Sequence, residues 1–377
     1  MRNKLLIALS PLTLIAASCG AGTAGDSAKS AADVENAFKV EVLGTFDEPW
    51  GMAILPGAGG ALITEKAGTL KWWSPSGTRS IANVPKVDYG GQGGLGDIVL
   101  APDFNTSGMV YLSWVEAGAD NTRGAVVASG VLDPGYLAWL HPLKIIWRQA
   151  PKVTGRGHFS HRIAFSPDGK YLFVASGERQ KFSPAQDLSN NLGKIVRLNL
   201  DGTPAPGNPF ADKGGISAQI WSYGHRNVLG LQFDAQGRLW DLEHGPAGGD
   251  ELNLVRPGQN YGWPLVSDGD HYDGKPIPRH ATRPDLAAPA ISWNPVIAPG
   301  DFIFYSGKMW GEWKGQALIA GLKTLGLVRV RIDGEKAIEQ ARYPLGKRIR
   351  EIREAGDGSL YVLEDGPGGR LLRLSRK

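Results

Sequence analysis

Six times along this chain a turn rich in glycine, proline or aspartate runs into a short apolar strand, often with a carboxylate at its end. The copies cover residues 57–66, 102–114, 166–177, 234–243, 315–322 and 355–364. Further apolar strands lie between copies, at 194–200, 325–332 and 371–374. No strong amphipathic helix pattern follows residue 35. A strand-turn-strand unit recurring at a spacing of about 40–80 residues is the signature of propeller blades. Six units predict an all-β fold, a six-bladed β-propeller. A pair of β-sandwiches is the competing arrangement. The 52 glycines, 25 prolines and 12 tryptophans suit a turn-rich β architecture.

The first residues read as a targeting segment. Arg2 and Lys4 precede an apolar run, residues 5–17, too short to span a bilayer as a helix. Small residues then lead to Cys19, the only cysteine. The expectation is a signal peptide over 1–18 and a flexible tether over 19–36. Lipidation at Cys19, which would anchor the chain to a membrane, competes with plain cleavage. The propeller would occupy 37–377, exported to the periplasm or held at the bacterial envelope. A lone cysteine excludes an intramolecular disulfide and a cysteine-rich metal site. The formal charge is +4, and loss of Arg2 and Lys4 leaves +2, with no basic run of the kind that binds nucleic acid.

Long segments between strands should carry the chemistry, because loops on a rigid scaffold are free of its packing. His158 lies in Gly155-Arg156-Gly157-His158-Phe159-Ser160-His161-Arg162. It reads as a general base titrating near neutrality, or as a hydrogen-bonded loop histidine. Arg226 and Asn227 form a donor pair for an anionic or carbonyl oxygen, or a salt bridge and turn cap. Arg348 and Arg350 alternate, so both point to one face of an extended segment, as a solvated edge or as an anion clamp. Asp250, Glu251 and the Tyr261 carbonyl offer hard oxygens suited to calcium, as do the Gly245 and Pro246 carbonyls; the alternative is turn bonding. Gln92 sits in a glycine-rich run that lacks the Lys-Ser/Thr of a phosphate loop. His158, His161, His225 and His244 show no zinc-type spacing. Trp263 and Trp293 are the two tryptophans considered for stacking.

The ordered motifs Pro49-Trp50-Gly51-Met52, Gly91-Gln92-Gly93-Gly94-Leu95, His158-Phe159-x-x-Arg162, Gly224-x-Arg226-Asn227, Glu243-His244-Gly245-Pro246-x-Gly248-Gly249-Asp250-Glu251 and Asn260-Tyr261-Gly262-Trp263-Pro264 together resemble the soluble aldose sugar dehydrogenases dependent on pyrroloquinoline quinone (PQQ), of the glucose/sorbosone dehydrogenase family. The likeness runs from about Val40 to Leu374. It implies PQQ over the channel mouth and oxidation of an aldose sugar at C1 to the lactone, with electrons passing on to an unidentified acceptor. By position His158 matches the proton acceptor, and Arg226 the group that stabilises charge on the quinone oxygen. Gln92, Asn227, Lys323, Arg348 and Arg350 match residues that hold the cofactor. Gly245 and Pro246 match carbonyls on the cofactor's Ca2+, and Glu251 and Tyr261 those of a second, structural calcium. The chain departs from the pattern where Gly157 stands in place of the usual Asp or Asn. His161 fills a position usually small, where it would narrow the mouth or compete for the base role. No aromatic covers the sugar near Trp293, so broad aldose specificity is expected. A calcium-dependent propeller lactonase and a non-catalytic sugar-binding protein are the rival functions.

Overall fold

The computed structural model describes residues 37–57, 60–133 and 138–377. The expected signal peptide, tether and Cys19 lie outside the described residues. Among the described residues, twenty-four strands form six antiparallel four-stranded sheets. Blade 1 holds β2 (Pro49–Ile54), β3 (Ala61–Glu65), β4 (Thr69–Ser74) and β5 (Gly77–Ile81). Blade 2 holds β6 (Leu95–Leu100), β7 (Met109–Ala117), β8 (Arg123–Val131) and β9 (Lys144–Arg148). Blade 3 holds β10 (Ser160–Phe165), β11 (Tyr171–Ser176), β12 (Lys194–Asn199) and β13 (Ile220–Tyr223). Blade 4 holds β14 (Val228–Phe233), β15 (Leu239–Glu243), β16 (Asp250–Val255) and β17 (Ile291–Trp293). Blade 5 holds β18 (Pro299–Phe304), β19 (Ala317–Gly321), β20 (Gly326–Asp333) and β21 (Lys336–Pro344). Blade 6 takes β22 (Ile349–Glu354), β23 (Leu360–Glu364) and β24 (Gly369–Ser375) from one end of the chain and β1 (Lys39–Phe46) from the other.

The first strands of the blades pack side by side, and β22 returns to β2, so the ring is closed. Pairing of β1 with β24, from Lys39↔Ser375 to Phe46↔Gly369, laces the last blade shut. The two-sandwich alternative is thereby overturned. Each of the six sequence copies supplies the second strand of one blade, and the three interspersed apolar runs are third strands.

Six apolar clusters fill the six blade interfaces. Successive residues of a strand point to opposite faces, and here each face meets a neighbouring blade. Leu172 packs toward blade 2 and Phe173 toward blade 4. Strands buried on both faces read as continuous apolar runs rather than alternating ones, which is how Leu172–Ala175 appear in the sequence.

The axis is polar and plugged. Arg162, buried, donates to Glu351 Oε2 at 2.7 Å, to the Leu229 carbonyl at 2.7 Å and to the Gly300 carbonyl at 2.8 Å, and pairs with Asp97 at 3.3 Å. Arg353 reaches the Met52 carbonyl at 3.0 Å and pairs with Asp301 and Glu351. Two guanidiniums thus tie together all six blades. This plug is the floor beneath the candidate site.

Candidate active site

A cavity of about 280 Å³ opens where the first strands begin and the second strands end. Its lining includes Trp50, Gln92, Phe159, Asn227, Arg348 and Arg350.

His158 is buried and has φ +49°, so the segment turns sharply as it enters β10. Its N–H donates to Gln92 Oε1 at 2.7 Å. Arg179 holds the segment from below, donating to the Gly157 carbonyl at 2.9 Å and the Gly155 carbonyl at 2.6 Å, with its guanidinium 3.7 Å from the Phe159 ring centre. The backbone passes so close to Gly177 that a Cβ there would lie 2.1 Å from the His158 carbonyl oxygen. The imidazole Nδ1 meets the Glu178 carboxylate. The other Glu178 oxygen accepts N–H groups from Lys181 at 2.6 Å and Phe182 at 2.7 Å. Burial pushes the Glu178 carboxyl up, but the bond from His158 and these N–H groups outweigh it and hold the group below the ordinary carboxylate range. Glu178 is therefore ionised, the proton of this pair sits on Nδ1, and Nε2 keeps its lone pair. Burial lowers the His158 pKa, Glu178 partly restores it, and the Arg226 charge lowers it again. Glu178 supplies the orientation that the missing side chain at Gly157 does not; a Cβ at Gly157 would meet Gln180 at 2.6 Å.

Arg226 and Asn227 enter β14 through a second carboxylate. Glu243 Oε2, at the end of β15, accepts the Arg226 N–H at 2.6 Å and the Asn227 N–H at 3.3 Å. Gly224 just before them has φ +76°, and a Cβ there would lie 2.2 Å from Asn260 Oδ1. The Arg226 guanidinium is buried over Trp263, 5.1 Å from the ring centre, and donates to the His244 carbonyl at 3.0 Å and Tyr272 Oη at 3.3 Å. Its Nε is buried with no hydrogen-bond partner.

Arg348 and Arg350 face the cavity together, each donating through Nε to one carboxylate oxygen of Asp365 at 2.8 Å. Burial pushes the Asp365 carboxyl up, yet the two arginines hold it below its ordinary range. Two guanidiniums sharing one carboxylate leave a net positive charge. Both side chains lie on the channel side rather than along a solvated edge. Lys323 follows Leu322, which lines the cavity, but is itself exposed and outside that lining.

Three of the four predicted calcium residues, Gly245, Glu251 and Tyr261, border a void of about 10 Å³ beside Arg226 and Glu243, while Pro246 lies outside its lining; the void is the size of one water or ion. Burial pushes the Glu251 carboxyl well above its ordinary range, with Glu243 and Asp268 adding to this against His280. Asp250, expected among the ligands, is committed elsewhere: its oxygens accept the Gly245 N–H at 2.9 Å and the Ala298 N–H at 2.6 Å. It fixes the Gly245-Pro246 loop rather than offering a free oxygen.

Other expectations are redirected. His161 is buried, stacked on Trp50 at 4.9 Å and bonded through Nδ1 to Ser113 at 2.8 Å; burial, then the Arg162 charge, lowers its pKa to about 3. That removes it as a competing base. His244 donates to the Pro299 carbonyl at 2.6 Å. His225 stands with Asp241 and Glu243 in the one group of three metal-ligand-type side chains found among the described residues, so the four histidines do not converge. Trp293 is core, its indole N–H bonded to Glu339 at 2.8 Å, while Trp263 does stack, beneath Phe182. Sequence reasoning did not single out Glu178 or Glu243. The signal for Glu243 was the strand-end carboxylate of its repeat, and Glu178 stands two residues past the end of β11.

A closed six-bladed ring with an open, cation-bearing mouth and a carboxylate-held histidine defines a propeller enzyme scaffold of the sugar-dehydrogenase type. The chain belongs to the glucose/sorbosone dehydrogenase family, whose profile matches residues 46–373. It is 40% identical over 347 residues to the aldose sugar dehydrogenase YliI of Escherichia coli, covering 89% of this chain and 92% of that protein. The crystal structure of the soluble E. coli aldose sugar dehydrogenase in its apo-form superposes with a TM-score of 0.85 at 38% identity, over 90% of this chain and 100% of that one. The PQQ-bound form of the aldose sugar dehydrogenase from Streptomyces coelicolor superposes with a TM-score of 0.72 at 30% identity, over 90% and 98% of the two chains.

Proposed function

We propose that this protein oxidises aldose sugars at C1 to the lactone, with PQQ and calcium as cofactors and His158 as general base. The observation that carries the reading is a cavity lined by two arginines sharing one carboxylate, with a carboxylate-held histidine and a buried arginine with an unpartnered Nε just behind its lining, close to His244. PQQ is a flat tricarboxylate, and these residues fit it. Arg348 and Arg350 supply net positive charge for its carboxylates, with Lys323 at the rim. Gln92, Asn227 and Arg226 supply polar contacts, and the Arg162 plug closes the channel below. Calcium fits for a separate reason. Asp241, Glu243 and Glu251 are buried together, and their side-chain partners are His225, Asn253 and His280, none of them a lysine or arginine. Buried carboxylates in that state favour a cation. The Gly245 and Pro246 carbonyls would hold the ion at the cofactor, and Glu251 and the Tyr261 carbonyl a second one.

When bound, PQQ supplies the two-electron acceptor and calcium the polarising charge. The chain's own residues do the rest. Nε2 of His158 takes the proton of the anomeric hydroxyl, and the imidazolium so formed is stabilised by Glu178. Trp263 and the His244 carbonyl fix Arg226, whose guanidinium would stabilise charge developing on the acceptor's oxygen. A lactonase reading leaves Arg348 and Arg350 without a task. Export, with Cys19 as a lipid anchor, belongs to the same proposal, as do broad aldose specificity and an external electron acceptor.

The test is dye reduction by the mature chain with PQQ and calcium added separately and together, against a panel of aldoses. Turnover that requires both additions supports the reading. No turnover, and no PQQ absorbance retained after desalting, would overturn it.

A further inference from the structure

Two exposed aromatic side chains stand beside the catalytic pair and have no role in the chemistry above. Phe182 is 45% exposed and Tyr272 78% exposed. Each is tied to one catalytic group. The Phe182 N–H donates to the Glu178 oxygen opposite the one that holds His158, at 2.7 Å. Tyr272 Oη accepts from Arg226 at 3.3 Å. The Phe182 ring is not free to swing. Its backbone has φ +63°, which a bulky residue adopts only under local constraint. One face lies nearly parallel to the buried Trp263 indole, at 5.6 Å and 28°, and His271 stands against it at 6.1 Å.

A fixed aromatic ring with an open face at the mouth of a polar site is a platform for a flat, partly apolar ligand. A pyranose presents such a surface through its C–H groups. Direction also follows from chemistry. C1 of the oxidised ring must face His158 Nε2, so C4, across the ring, points out of the mouth. A substituent on O4 therefore extends toward solvent, and Phe182 and Tyr272 are the exposed aromatics bonded to the residues that flank the base, Glu178 and Arg226.

We propose that Phe182, flanked by Tyr272, forms a subsite that stacks the second ring of a 4-linked oligosaccharide whose reducing end is oxidised. This rests on the aldose reading and adds to it a residue that sets chain-length preference.

The experiment compares kcat/KM for cellobiose and glucose in the holoenzyme, for wild type, Phe182→Ala and Phe182→Trp. It is paired with calorimetry using methyl cellobioside and methyl glucoside, whose C1 is capped against oxidation. The cellobiose-to-glucose ratio should fall about tenfold in Phe182→Ala and stay within about twofold in Phe182→Trp, as expected for loss and retention of one stacked ring. Wild type should bind methyl cellobioside about tenfold more tightly than methyl glucoside, and Phe182→Ala should lose that margin. Equal losses for both sugars would show a purely structural role and overturn the proposal, as would an unchanged ratio. If wild type with PQQ and calcium turns over neither sugar, the dehydrogenase reading fails. The calorimetric margin then decides the platform alone.

Discussion

Replacing Glu178 by Gln should silence the enzyme without emptying its site. Glu178 Oε2 accepts the Lys181 and Phe182 N–H groups at 2.6 and 2.7 Å. In the variant the carbonyl oxygen must stay with those two donors, because an NH2 there would face N–H groups. The amide NH2 then points at His158 Nδ1, which has to become an acceptor. The imidazole proton moves to Nε2, the atom that should receive the sugar's proton. A charge-assisted hydrogen bond contributes about 1.5–3 kcal/mol, so its loss also lowers the His158 pKa by roughly 1–2 units. Burial already depresses that pKa, and the variant moves it further from neutrality. Wrong tautomer and weaker base together predict a fall in kcat of roughly 10² to 10⁴. PQQ binding, followed by absorbance titration, should change little, since Glu178 does not line the cofactor cavity. Glu178→Asp keeps the charge but not the reach, and should fall between. Dye reduction at saturating PQQ and calcium reads the effect. Turnover of Glu178→Gln within about threefold of wild type would refute this account of how the base works.

Arg350→Gln should weaken PQQ binding by roughly 10–100-fold, the value of one charged hydrogen bond, with a smaller loss of kcat once PQQ saturates; fluorescence or absorbance titration separates the two. Arg162→Met should destabilise the fold by about 3–5 kcal/mol, read as a lower urea midpoint, because Asp97 loses its buried cation and Glu351 keeps only Arg353. The contribution of two buried histidines to acid stability has a fixed sign. The pKa values of His161 and His244 are lowered by burial to about 3, so below about pH 6.5 the unfolded chain binds protons that the folded one refuses. Their contribution to stability should be full above that pH and fall by about 1.4 kcal/mol per unit for each histidine on acidification. His161→Phe, which keeps the stack on Trp50, should remove one of these two slopes in denaturant titrations between pH 6.5 and 4.

The second strands were legible because each follows a turn and is buried on both faces, so turn chemistry and an apolar run mark it twice. The first strands were not. Asp97, Arg162, Asp301 and Glu351 sit within them, buried at the axis or close to it, with Arg353 half-buried beside them. In sequence such residues look like surface. Only closure of the ring brings Arg162 to Glu351, 189 positions away, and makes burial of either affordable. The same holds in the site. Arg348 and Arg350 were readable as one face from their spacing, but whether that face met solvent or the cavity depended on Asp365 and on the closed ring. Asp250 looked like a calcium ligand because a free carboxylate and a loop pin have the same letter; one N–H group that occupies it is in its own loop, at Gly245, and the other is far along the chain, at Ala298.

One structural device recurs at the mouth and explains why the chemistry collects there. A backbone turning into the first strand of a blade leaves N–H groups and side chains that the ladder does not yet pair. In four blades a carboxylate at or just beyond the end of the adjacent second strand meets them. Glu65 accepts the Asp47 N–H at 2.9 Å before β2. Glu178 holds His158 before β10, Glu243 the Arg226 and Asn227 N–H groups before β14, and Asp365 the arginines that open β22. In blade 1 the device only fastens the entering turn. In blades 3, 4 and 6 it fastens the base, the donor pair and the anion clamp. Each of these groups is therefore positioned by a strand end, which the blade interfaces hold rigid, rather than by the loops around the mouth. Loops such as the one carrying Tyr272 can then change what the mouth accepts while the reacting groups keep their geometry.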